Sequence, residues 1–268
     1  MKKWISNGVE DSFHVQLISI YKLLNKYLLV FKVIEPKMRE RIDDVRDKNF
    51  EEIRQELVLS SLRDYSIYEI YNILDVAKIL MCIDLEMRIN KLSYYNLDED
   101  VFNAIEKLDI VNKLIVVVYS INGRKIKGKK IYEYLREFKE FRNSYAHGKV
   151  AIVTTKEFEE NQVKQKKLKD NRISEDKYEV LFDRSLLEQI NDLMKMCEKY
   201  LLIIEYMEEV NMYDEKIYDS IDLDDLRFYI NAIKKRCHII NNDLELDDEV
   251  KRSLQLILDK LCIDIIKV

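Results

Sequence analysis

Residues 66–92 read SIYEIYNILDVAKILMCIDLEMRINKL. Ile67, Ile70, Ile73, Leu74, Val76, Ile79, Leu80, Ile83, Leu85, Met87 and Ile89 occupy nearly every side of a helical wheel, as expected of a helix at the centre of a bundle. Asp84, Glu86 and Arg88 are the polar exceptions near its far end. The rest of the chain agrees with a helical reading: its 268 residues include one proline (Pro36) and four glycines (Gly8, Gly123, Gly128, Gly148). Sheets with many tight turns and glycine-rich phosphate loops need far more of both. Apolar residues make up 47% and charged residues 35%, too much of each for a disordered chain. The longest apolar run, Leu114–Tyr119, falls far short of the roughly 20 residues that span a bilayer.

Outward from this segment, residues 11–34 are apolar on a helical period up to Pro36, and a charged stretch (36–57) follows as one or two solvated helices. Asp98 or Asp100 can cap a helix running to about Ser120, with the β-branched LIVVVY tract kept helical for want of turn signals. Asn122-Gly123 forms a turn, a basic tract occupies Arg124–Lys130, and the next helix closes at Gly148. Lys149–Thr155 and Lys177–Phe182 are expected to pair as a small β-hairpin with a long charged tip. Ser185 and Glu188 form a capping box that opens a helix to about Val210. Amphipathic segments at Leu223–Asn241 and Asp247–Ile266 complete the chain.

Cys82, Cys197, Cys237 and Cys262 lie far apart, with no C-x-x-C pair and no finger-like histidine spacing. They read as buried, reduced thiols of a cytoplasmic protein, with no metal and no cofactor expected. The opening MKKWISNGVEDSF has no apolar segment of secretory type. A net charge of −5 means that any nucleic-acid contact must come from a local basic patch.

Three histidines are present, and histidine is the natural starting point for acid–base chemistry near neutral pH. His14 lies in an apolar-periodic helix and reads as structural; His238, after Lys234-Lys235-Arg236-Cys237, reads as a surface or packing residue. His147 ends the segment EFRNSYAH. On a wheel, Ile131, Tyr134, Leu135, Phe138, Phe141 and Tyr145 form an apolar stripe, while Arg136, Lys139, Glu140, Asn143 and His147 share another arc. Glu140 and Asn143 are thus placed to orient the imidazole. Arg142 falls inside the apolar stripe, where its charge must be paired or must face a second protein surface. Its bland alternative is to cap a neighbouring helix's carbonyls, with His147 bonding its own helix end.

Arg142-Asn143-Ser144-Tyr145-Ala146-His147, followed by Gly148, resembles the R-N-x-x-x-H signature of the HEPN superfamily, all-helical domains common among prokaryotic ribonuclease toxins. The order of helices around it is similar as well, and the resemblance covers about residues 65–210. It implies a HEPN-like bundle over 65–210; residues 1–64 and 211–268 lie outside it and, with no low-complexity linker, read as N- and C-terminal helical extensions packed on the core. It also implies metal-independent RNA cleavage, in which the ribose 2′-oxygen attacks the adjacent phosphate to give a 2′,3′-cyclic phosphate. By the same resemblance His147 moves protons, Arg142 neutralises the phosphorane-like transition state and Asn143 positions phosphate or imidazole, with Glu140 and Tyr145 in support. The single motif copy and the family's habit of pairing motifs imply a homodimer with a composite site. A toxin or phage-defence role, with a cognate antitoxin or regulatory protein, is the family-level expectation. The modifiable tyrosine that one toxin branch carries two residues after the histidine is Lys149 here.

Arg124, Lys125, Lys127, Lys129 and Lys130 precede the motif helix, Lys139 lies on it, and Lys164, Lys166, Lys167 and Lys169 follow it. These cations suit capture of an RNA backbone, or else form solvated loops. The seventeen tyrosines can stack bases or pack the bundle. A non-catalytic HEPN-like module that dimerises or binds a partner or a nucleotide is the alternative to the nuclease.

Overall fold

The computed structural model describes residues 9–29, 50–146, 175–213, 217, 223–242, 248, 251–252 and 256. Among them are seven α-helices and no strand: α1 (Val9–Leu29), α2 (Phe50–Asn96), α3 (Glu99–Ile105), α4 (Ile110–Asn122), α5 (Lys130–Ala146), α6 (Glu175–Val210) and α7 (Leu223–Asn241). No helix among the described residues is long and apolar enough to cross a membrane.

Two compact units are present. One draws chiefly on Ile79–Glu188 and Lys195–Asp219, the other on Glu10–Lys78, Gln189–Met194 and Ser220–Val268. The second unit buries Phe13, Leu17, Ile20, Leu24 and Leu28 of α1, Ile67, Ile70 and Leu74 of α2, and Leu226, Ile230 and Ile233 of α7. Spacings of three and four residues within each set are the helical period of an inward stripe. Arg236, 2% exposed, is reconciled with this core by donating to Asn25 Oδ1 at 2.8 Å and to the Tyr21 hydroxyl at 3.1 Å. His14 packs edge-on against Tyr229, and His238 is exposed with its Nδ1 2.8 Å from Asn242 Nδ2.

The first unit holds the motif helix. Its core comprises Met81, Cys82, Leu85, Ile89 and Leu92 of α2, Leu114, Val117 and Val118 of α4, Leu135 and Phe138 of α5, and Ile203, Ile204 and Met207 of α6. The expected greasy helix is therefore present within α2, although Val76 and Ile83 are exposed.

The segment expected to run unbroken from Asp98 to Ser120 is two helices. Asp98 and Asp109 are both N-caps with extended backbone, and the Asp109 carboxylate accepts from the amides of Val111 and Asn112. The LIVVVY tract is helical within α4, because burial of Leu114, Val117 and Val118 outweighs the β-branched preference. The expected hairpin is corrected in its second half: Lys177–Phe182 lies inside α6. Tyr178, Leu181, Phe182, Leu186 and Ile190 continue one helical period across this segment, so Ser185 stands within the helix rather than at its start. The first half, Lys149–Thr155, lies outside the described residues.

Candidate functional site

Helix α4 ends on Gly123, whose φ of +66° is a left-handed C-cap and whose amide donates to Tyr119 O at 2.8 Å. Only glycine takes that conformation without cost. Arg124 then donates its amide to Asn122 Oδ1 at 3.0 Å, Ile126 is buried at 1%, and a second left-handed glycine, Gly128, leads into α5. The basic tract is thus clipped down by one apolar residue. Arg124, Lys125, Lys127, Lys129 and Lys130 are all exposed, and Arg124 contacts Glu209 at 3.2 Å.

Helix α5 packs against α4, and Leu135 and Phe138 are its fully buried residues. Ile131, Tyr134 and Phe141, expected on the buried stripe, are only half-buried. At Arg142 the stripe emerges from the core. Its side chain is 44% exposed, and Nη2 lies 3.1 Å from Oε2 of Glu86, itself 29% exposed. Of the two expectations for a charge on that stripe, the structure supplies a pairing. Both groups stand beside Cys82, whose Sγ donates to Phe138 O at 3.6 Å. Burial pushes the Cys82 thiol up to about 12, with Arg142 pulling it down and Glu86 adding to the rise.

Two more cations of this unit, Lys113 and Lys139, are held by polar partners. Lys113, 3% exposed, donates from Nζ to Asn90 Oδ1 at 2.6 Å. Burial lowers its pKa, against the attraction of Glu86 and Glu106. Lys139 reaches Asp109 Oδ2 at 3.1 Å, so it braces the α4 cap. Burial raises the Asp109 pKa, but hydrogen bonds from the Asn112 backbone, Lys139 and the Asn112 side chain outweigh it, and the net shift is downward.

Of the remaining residues of the motif helix, Asn143 is half-buried and Glu140 is exposed. Glu140 is bonded at 3.2 Å to Arg136 one turn earlier. Tyr145 belongs to α5, but its side chain lies outside the described residues, as do His147, Lys149 and the lysines at 164, 166, 167 and 169. The basic tract and Arg142 are close in sequence yet separated by most of α5. Twelve residues from Lys130 to Arg142 correspond to about 18 Å along the axis.

A buried polar network went unread in the sequence. Asp84 and Arg88 pair at 2.6 Å with 0% and 1% side-chain exposure. The Tyr200 hydroxyl donates to Asp84, and Arg88 Nη1 donates to Ile217 O at 3.1 Å. Burial, followed by the Asp84 charge, holds the Tyr200 hydroxyl well above its ordinary range. The i,i+4 spacing of Asp84 and Arg88 on a greasy helix was the available signal. Cys82, Cys197 and Cys237 are buried free thiols. Among the described residues no three His, Cys, Asp or Glu side chains gather as a metal cage requires. No protein-family profile, curated protein or solved structure matches the chain.

Proposed function

We propose that the chain is a metal-independent endoribonuclease of HEPN type, acting in the cytoplasm as a toxin or phage-defence effector. The observation that carries this reading is the Arg142 guanidinium. It sits in the last turn of α5, five positions before His147, anchored on one side by Glu86 yet 44% exposed. A planar cation in that state has N–H groups left for a phosphate.

In the proposed reaction the ribose 2′-oxygen attacks phosphorus as the P–O5′ bond breaks. The 2′ proton passes to an imidazole, and the departing 5′ oxygen takes up a proton, leaving a 2′,3′-cyclic phosphate and a 5′-hydroxyl. His147 performs these transfers, Arg142 offsets the charge that grows on the phosphoryl oxygens, and Asn143 positions the phosphate or the imidazole. A homodimer that brings two motifs together completes the site, and a cognate antitoxin or regulatory protein restrains it. The exposed tract Arg124–Lys130 supplies backbone capture that is blind to sequence.

The test is incubation of RNA with the purified protein in EDTA, beside Arg142→Ala and His147→Ala. Cleavage by wild type with 2′,3′-cyclic phosphate ends, and losses of about 10²–10³-fold in either variant, are expected. No cleavage of transfer, messenger or ribosomal RNA by wild type favours the second reading, a non-catalytic dimerisation or partner-binding module. The Glu86 contact suits that module too, because it neutralises Arg142 without any ligand.

A further inference from the structure

The Glu86–Arg142 pair lies at the edge of the core. Both side chains are partly solvated, at 29% and 44%, and exposed pairs of this kind add little to stability. What the contact does control is direction. An arginine at the end of a helix has a long rotatable stem, and anchoring one Nη fixes the plane of the fork while the other N–H groups remain exposed. Glu86 is well placed to serve as that anchor. Its chain neighbours Leu85 and Met87 are buried at 0% and 8%, so its backbone is fixed in the core. Glu86 also attracts the charge of Lys113, which is bonded to Asn90 one turn further along α2.

We infer that Glu86 is a positioning residue for Arg142: its carboxylate holds one arm of the fork on α2 so that the remaining N–H groups face the scissile phosphate. This rests on the ribonuclease reading. The arrangement has a recognisable cost, since a carboxylate beside the phosphate position repels the substrate. Glu86 should therefore favour turnover and oppose ground-state binding, whereas a merely structural residue would affect neither or both.

The test compares full-length wild type, Glu86→Gln and Glu86→Asp on one RNA in EDTA, with kcat and KM resolved. Kd is measured for the same RNA carrying 2′-O-methyl groups, which cannot be cut. Glu86→Gln should lose about ten- to a hundredfold in kcat, with Kd for the methylated RNA unchanged or tightened. Glu86→Asp, keeping the charge on a shorter arm, should fall between the two. If glutamine lowers the melting temperature enough to compromise the assay, the aspartate variant carries the same comparison. Equal kcat in wild type and Glu86→Gln overturns the positioning role while the nuclease reading stands. So does a fall in kcat matched by an equal loss of affinity for methylated RNA. A wild type that cuts no RNA removes both, and is told apart because the failure appears before any substitution.

Discussion

Asp84 and Glu86 stand two residues apart on α2, and each takes an arginine partner, yet the two pairs have little else in common. Two residues along a helix is a turn of about 200°, so the carboxylates face nearly opposite ways. Asp84 points into the core and its pair with Arg88 is 0% and 1% exposed; Glu86 points outward and its pair with Arg142 is 29% and 44% exposed. Inside, the bare charges would be intolerable, and Tyr200 and the Ile217 carbonyl take up further donors and acceptors. Outside, water does that work, and the guanidinium is left available. Burial, more than residue identity, thus separates an arginine that fixes the fold from one fit to meet a ligand.

Truncating each arginine is the sharpest way to break this contrast. Arg88→Ala should cost about 3–5 kcal/mol in urea unfolding, because Asp84 would remain as an uncompensated buried charge. Arg142→Ala should cost less than about 1 kcal/mol while lowering RNA cleavage about 10²–10³-fold. Equal destabilisation by the two would make the outer pair structural as well and dissolve the distinction.

Much of this was readable from spacing. Leu223–Asn241 was expected as a helix and is α7, since apolar Leu226, Ile230 and Ile233 recur on one stripe. The exposed basic tract was announced by its glycines and lysines. The break at Asp109 was missed because an aspartate within a polar stretch looks like surface until its carboxylate is seen capping Val111 and Asn112. Lys177–Phe182 misled because three β-branched or aromatic residues, Tyr178, Val180 and Phe182, outweighed a helical period that only becomes clear once Leu186 and Ile190 are counted. Arg142 was expected inside the apolar stripe, but the stripe leaves the core before reaching it and its side chain is 44% exposed. The partner could not be named, because Glu86 lies on another helix and sequence spacing carries no information about which helices pack.

Asp109 offers a smaller test on the same face. Asp109→Ala removes the α4 cap and the Lys139 contact and should cost about 1–2 kcal/mol. The folded state holds this carboxyl below its ordinary value, so its contribution should be fully present above about pH 4 and lost as pH falls through the folded pKa. An Asp109→Ala deficit that persists undiminished at pH 2 to 3 would contradict that linkage.

The least effect is expected from single lysines of the basic tract. Lys125→Gln or Lys127→Gln should weaken RNA binding uniformly across sequences and reduce the salt slope by about one each. No change in slope would remove the tract from the RNA surface and leave the outer pair to act alone.

Under the proposed nuclease reading, the span of α5 between that tract and Arg142 would work as a ruler. An oligonucleotide of two units reaches one end only, so it would be processed, if at all, slowly and with little sensitivity to ionic strength. A strand several nucleotides longer engages both ends and gains the electrostatic advantage at a single threshold of length. On that reading footprint, rather than base identity, would be the first thing such a surface selects.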